Sequence, residues 1–272
     1  MKVVVALIAA LPLFAGAAAQ KVVTLGGDVT EIVYALGAQS ALVARDSTSM
    51  WPPEALKLPD VGYLRQLNAE GILATHPTTV LASVQAQPSL ALSQVEQNGV
   101  TVLTVPGSND VTVIDAKIKI IAAALHKAAE GETLRQKMKQ SLEALPKTQL
   151  NKRVLFILSH GGMTAMAAGQ QTGADAAIRA AGLQNAMQGF NRYQPLSQEG
   201  VIASQPDLVV ISADGVQSMG GEAGLWKLPG LAQTPAGRNK QVLLVDDMAL
   251  LGFSIRTPDA LRQLRNKAEQ TP

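Results

Sequence analysis

The chain has 272 residues, with 23 basic against 21 acidic side chains and a formal net charge of +2, a balance that excludes a charge-driven nucleic-acid or membrane-surface partner. It has no cysteine, which removes disulfides, thiolate metal sites and cysteine nucleophiles together. A chain of this length buries about three-quarters of its unfolded surface and can rely on its own core, and with only 3% aromatics each Tyr or Trp in a loop stands out.

Residues 1–19 read as a secretory signal. Lys2 is followed by the apolar run Val3 to Phe14, then by small residues ending in Ala17-x-Ala19 before Gln20. That run is too short to span a bilayer, which takes about 20 apolar residues. Removal of Lys2 with the signal leaves the mature chain near +1. The missing cysteine also removes a lipid-anchor site, so a free, soluble periplasmic protein is expected.

From Val22 the chain alternates strand, turn, helix and strand. Strands are expected at Val22–Leu25, Ala41–Ala44, Thr79–Ala82 and Val100–Val105, with helices at Thr30–Leu36, Asn68–Thr75 and Pro88–Asn98. This alternation predicts an α/β lobe with a mainly parallel sheet over residues 20–110. Gly26-Gly27-Asp28 lacks the rest of a dinucleotide fingerprint and reads as a turn. Residues 111–146 carry helical periodicity in Ile114, Ile118, Ile121 and Leu125, then in Leu134, Met138, Leu142 and Leu145. Gly131 is expected to break this stretch into two helices and Pro146 to end it. A second α/β lobe, 147–272, opens with a strand at Arg153–Leu158. It continues with a helix at Asp175–Ala181 and strands at Leu208–Ile211 and Val242–Val245.

An internal echo links the lobes. Residues 67–83 and 196–212 match at a constant offset of 129 positions, keeping Glu70 with Glu199, Gly71 with Gly200, Ala74 with Ala203 and Pro77 with Pro206. Each copy reads as a short helix, a Pro-containing turn and an apolar strand. Two similar lobes flanking a helical connection predict a ligand cleft between them.

No G-x-S-x-G elbow, P-loop or H-E-x-x-H occurs. Two segments carry ligand chemistry. In Gly62-Tyr63-Leu64-Arg65-Gln66-Leu67, residues two apart on an extended strand point the same way, so Tyr63 and Arg65 are expected to face one ligand. An adjacent guanidinium favours phenolate, and tyrosine is an axial haem ligand in some proteins. The other use of Tyr63 is packing, with its hydroxyl bonded to backbone. In Ser159-His160-Gly161-Gly162-Met163-Thr164-Ala165-Met166, His160 falls where a parallel strand should end, the usual ligand edge. Imidazole ligates iron, and Met163 and Met166 can line a flat apolar face; a loop histidine without a ligand is the alternative. His76, in the repeat's turn, and His126, in the helical connection, do not make a zinc-capture set.

Taken together, these segments resemble the haemin-binding proteins of bacterial haem ABC importers, in the helix-linked class (class III) of periplasmic binding proteins that also carries siderophores and cobalamin. The resemblance covers essentially the whole mature chain and rests chiefly on Gly62–Leu67 and Ser159–Gly162. It implies haem as the transported ligand, Tyr63 as axial iron ligand with Arg65 as its hydrogen-bonding partner, and His160 in the haem pocket or on a second, stacked haem. It further implies that Glu70 and Glu199 dock onto the two subunits of an inner-membrane ABC permease, that the protein is monomeric and not an enzyme, and that its cleft is largely preformed. A siderophore or cobalamin carrier of the same fold needs no iron ligand from the protein, and a periplasmic enzyme needs a base beside a nucleophile, a pairing not found.

Overall fold

Strands that are apolar on both faces need cover on both sides, and the alternation of side chains shows where that cover comes from. The computed structural model describes residues 20–161 and 163–272; the expected signal, 1–19, lies outside the described residues. Strands β1 (Val22–Leu25), β2 (Leu42–Arg45), β3 (Thr79–Ser83) and β4 (Thr101–Val105) make a parallel sheet in the order β2-β1-β3-β4. A second sheet contains β5 (Arg153–Leu158), β6 (Met166–Ala168), β7 (Gln184–Asn185), β8 (Tyr193–Pro195), β9 (Leu208–Ser212) and β10 (Val242–Val245). Its order is β10-β9-β5-β6-β8, with β7 beside the start of β5. The parallel strands of this sheet run β7-β5-β9-β10, repeating the arrangement of the first, while β6 and β8 are antiparallel additions.

Along β1, Val22 enters one core and Val23 and Leu25 another; along β5, Val154 and Phe156 face one side and Leu155 and Ile157 the other. One continuous core lies between the two sheets. It includes residues of α1 (Gly27–Ala35), α4 (Val113–Ala124), α5 (Ala128–Glu143), α6 (Gly173–Ala180) and α12 (Thr257–Gln270). The outer face of the first sheet is covered by α2 (Ala69–Leu73) and α3 (Ser89–Gln97). That of the second is covered by α7 (Gln198–Ser204), α8 (Ala213–Ser218), α9 (Glu222–Leu225) and α10 (Pro235–Arg238). Helix α11 (Asp247–Leu251) follows β10 and contributes Ala249 and Leu250 to the shared core. The fold is the expected α/β architecture with a helical connection between its sheets. Among the described residues no helix is long and apolar enough to cross a membrane.

The connection bends elsewhere than expected. The two helices part at Leu125–Lys127, where His126 adopts φ 55°, and Gly131 lies inside α5. A Cβ at Gly131 would come 2.4 Å from that of Ala122, so this glycine lets α5 close onto α4 and does not end a helix.

The repeat is reproduced in three dimensions. Both strands occupy their offset positions, β3 at 79–83 and β9 at 208–212. Asn68 caps α2 and Ser197 caps α7 through side-chain oxygens, and His76 (φ 52°) and Gln205 (φ 44°) take the same left-handed turn before the paired prolines. His76 is thereby a turn residue, and Glu70 and Glu199 are exposed at the second position of matched helices.

Polar bonds tie the two halves together beneath the cleft. Lys117 Nζ on α4 donates to Asp28 Oδ2 on α1 and to the Gly252 carbonyl, both at 2.7 Å. Arg256 donates to Glu31 Oε1 at 2.9 Å and to Asp246 Oδ2 at 2.7 Å, and its guanidinium lies 5.0 Å from the Trp51 ring centre. Burial pushes the Glu31 carboxyl above its usual range, and Arg256 opposes that rise. Bonds of this kind hold the relative placement of the halves and favour a preformed cleft.

Candidate ligand-binding cleft

Parallel sheets present their carboxyl ends to ligands, and here the ends of both sheets meet. After β1, Gly26 turns with φ 129°, and a Cβ there would meet Asp28 Oδ1 at 2.7 Å and Ser83 Cβ at 2.9 Å. Gly26 supplies the turn, and Gly27 is already the first residue of α1. Asp46, fully buried after β2, accepts from the Gly26 N–H at 2.9 Å and from the hydroxyls of Thr48 and Ser49, which fixes the loop between β2 and Trp51.

A cavity of about 70 Å³ lies where Gly26, Ser83, Gln85 and Gly107 face Met248 and Phe253. It is far smaller than the ~300–1,000 Å³ of usual small-molecule pockets, so a ligand of that size would rest on the more open surface around it. That surface carries unusual apolar exposure. Tyr63 is 43% exposed, Val84 50% and Met163 41%; Val84 and Met163 come after the ends of β3 and β5, and the Tyr63 segment lies beside the end of β2, where the Ser47 N–H donates to the Gly62 carbonyl at 2.9 Å. Exposed apolar groups gathered this way mark a binding surface.

The loop bearing Tyr63 is not the extended segment expected. The Gln66 N–H donates to the Tyr63 carbonyl at 2.8 Å, closing a turn. Leu64 and Leu67 are buried and anchor it, leaving Tyr63, Arg65 and Gln66 outside. Tyr63 and Arg65 are thus both exposed because Leu64 is pulled inward, and strand alternation plays no part. Arg65 donates to Gln85 Oε1 at 2.7 Å; among the described residues it makes no hydrogen bond to Tyr63.

Across the cleft, His160 is exposed on the turn that follows β5, where the Met163 N–H donates to the His160 carbonyl at 3.0 Å. Met166 begins β6, paired with Leu158, and is half-buried. The exposed Met163 therefore borders the open surface more fully than Met166.

Two residues of the cleft went unread in the sequence. Tyr193 on β8 is partly buried, and its hydroxyl is pushed up to about 12, first by burial and then by Asp247, with Arg65 opposing. Arg65 of the first lobe is thereby close enough to act on a tyrosine of the second. Asp247, at the start of α11, has a carboxyl pushed up to about 6 from 3.8, first by burial, with Asp246 and Asp214 adding and His160 and Ser212 opposing. The rule that singled out His160, a polar residue just past a parallel strand, applies equally to Asp247 after β10.

The raised Asp247 value has a consequence for stability. The folded protein retains a proton that the unfolded chain releases, so this group favours folding below about pH 4 and costs stability as pH rises through 6. Asp247→Asn is expected to raise the stability of the ligand-free protein at pH 7 by on the order of 1–2 kcal/mol, discounted for partial exposure, with little effect near pH 4. Urea melts of both proteins at the two pH values check this; a gain that is the same at both would refute it.

Comparison with known proteins follows the same line. The profile described as "Periplasmic binding protein" matches residues 22–249. The structure is similar to that of the periplasmic haem-binding protein BhuT in complex with two haems. The two chains are 41% identical, with a TM-score of 0.86 and coverage of 92% of this chain and 98% of the other. Similarity extends to the haem-binding protein RhuT from Roseiflexus sp. RS-1 in its apo form, at 37% identity, TM-score 0.89 and coverage of 93% and 98%. A vitamin B12-binding protein of Vibrio vulnificus (strain YJ016) is 26% identical over 228 residues, 81% of this chain and 79% of that protein.

Proposed function

As the chain belongs to the periplasmic binding protein family, we propose that it captures haem in the periplasm and hands it to an ABC importer in the inner membrane. The observation that carries this reading is the placement of two iron-competent side chains, Tyr63 and His160. They are exposed at the carboxyl edges of different sheets, with the apolar Val84 and Met163 on the same surfaces. Haem is a flat apolar ligand with an electron-poor ferric centre, and a phenolate oxygen suits that centre. In this reading Tyr63 is the axial ligand, Arg65 lies two residues away on the same turn at the rim of the haem pocket, and Met163 and Met166 contact the ring. The lobes are residues 20–110 and 147–272, carried on the connection 111–146, and export through the 1–19 signal delivers a monomer to the periplasm.

A cobalamin carrier is the second reading, favoured by the 26% identity to the vitamin B12-binding protein. A corrinoid brings its own metal and ligands and leaves Tyr63 unused. Visible spectra decide: a shifted haem Soret band on addition of ferric haem, with no response to cobalamin, is expected, and the reverse would overturn the haem reading.

Glu70 and Glu199 occupy matched, exposed helix positions, a geometry that suits a partner built of two like subunits. The double variant Glu70→Ala/Glu199→Ala is expected to bind haem as the parent does but to deliver it to the reconstituted importer several-fold more slowly. Complex formation in the parent should weaken with added salt, since exposed charge pairs are screened over about 10 Å at 0.1 M. Equal transfer rates from the two proteins would remove the docking role.

Haem stoichiometry follows from His160. With Tyr63 on one iron and His160 on the other, two haems stack across the cleft. Titration with ferric haem is expected to break at two equivalents in the parent and at one in His160→Ala. A break at one equivalent in both, with identical spectra, would mean that His160 does not touch iron.

A further inference from the structure

The order β10-β9-β5 sets three strand ends side by side: Val245 pairs with Ser212, and Ile211 with Ile157. Two residues past β10 stands Asp247, and two past β5 stands His160. Only one strand separates their starting points, and neighbouring strands lie about 4.8 Å apart. Of the buried side-chain polar atoms among the described residues, three have no hydrogen-bond partner: Glu31 Oε2, Arg45 Nε and Asp247 Oδ1. Glu31 and Arg45 are engaged through their other atoms, with Arg256 and with Asp60. Of the three, only Asp247 follows a strand end of the second sheet, one residue before Met248, which lines the cavity.

We propose that Asp247 is a positioning residue for His160, its unpartnered Oδ1 accepting the imidazole N–H that faces away from the ligand and so fixing which ring nitrogen meets iron. The inference rests on the reading that His160 touches haem iron. Of the groups acting on Asp247, His160 is the one able to carry positive charge; Asp246, Asp214 and Tyr193 are the other titratable neighbours. Arg256 is taken up by Glu31 and Asp246, and Arg65 bonds Gln85. In this structure no hydrogen bond joins His160 to Asp247. The imidazole is exposed on its turn and the space beside Gly161 is open, so the bond is one that forms as the ring swings onto its ligand. A histidine that ligates metal through one nitrogen generally donates through the other to a carboxylate or carbonyl, which sets its tautomer and basicity. A buried acceptor without a donor costs stability until such a bond is made.

The test is a double-mutant cycle read by ferric-haem titration and visible spectra, using the full protein and the variants His160→Ala, Asp247→Asn, Asp247→Glu and His160→Ala/Asp247→Asn. Asp247→Asn is expected to weaken the His160-dependent haem by about 10- to 100-fold and to shift its spectrum towards that of His160→Ala. Asp247→Glu should recover part of both, and Asp247→Asn should have no further effect once His160 is absent. Ligand-free melts at pH 7 that are no lower than the parent's separate this from unfolding. An Asp247→Asn effect that is absent, or equally large with and without His160, overturns the proposal. If His160→Ala itself leaves the haem spectrum unchanged, the iron contact fails and the positioning role with it. A parent that shows no Soret shift would instead refute haem binding altogether.

Discussion

Tyr63→Ala is expected to weaken ferric-haem binding by on the order of 100-fold, equivalent to ~2.7 kcal/mol, and to abolish the phenolate-dependent features of the visible spectrum. Tyr63 is 43% exposed on a turn held by the buried Leu64 and Leu67, so its removal leaves the packing of the loop in place. A second variant, Tyr63→Phe, keeps the ring and removes only the oxygen. If ligation is the role of Tyr63, the phenylalanine variant should lose the spectrum as fully as the alanine variant does. Retention of parental affinity and spectrum in Tyr63→Phe would reduce the residue to an apolar contact.

The largest stability effect is expected from Lys117→Met. Lys117 is 4% exposed and Asp28 6%; their 2.7 Å ion pair links α4 to α1, and the same ammonium holds the Gly252 carbonyl. Removing the cation strands a buried carboxylate, which costs about 3–5 kcal/mol. The double variant Lys117→Met/Asp28→Asn should recover much of that loss, because it removes the uncompensated charge. Chemical denaturation of the two variants measures both quantities. A loss below about 1 kcal/mol in the single variant, or no recovery in the double, would mean that the pair is not a main support of the interlobe core.

Legibility in the sequence followed the range of the interactions involved. Strands β5 and β10 stand where apolar runs placed them: β5 is covered on both faces and so continuously apolar, and β10 keeps its apolar run as a half-buried edge strand. The repeat located β3 and β9 and set Glu70 against Glu199, since a helix cap, a left-handed turn residue and a following proline are local signals that recur in register. Gly131 was misread because a glycine in a helical pattern signals either an end or a close approach, and only Ala122, on another helix, distinguishes the two.

Sequence by itself determined the α/β class and the repeat that relates the two halves around a helical connection, both of which rest on periodicity and neighbouring residue types. Tertiary structure alone decided the rest. It turned the Tyr63 loop instead of extending it, because Leu64 and Leu67 have a core to enter. It added β6 and β8, runs of three residues that are too short to carry a strand period of their own. It set Asp247 one strand away from the start of the His160 turn, with an oxygen that has no partner, since the environment of a carboxylate depends on which strand ends the sheet order makes adjacent.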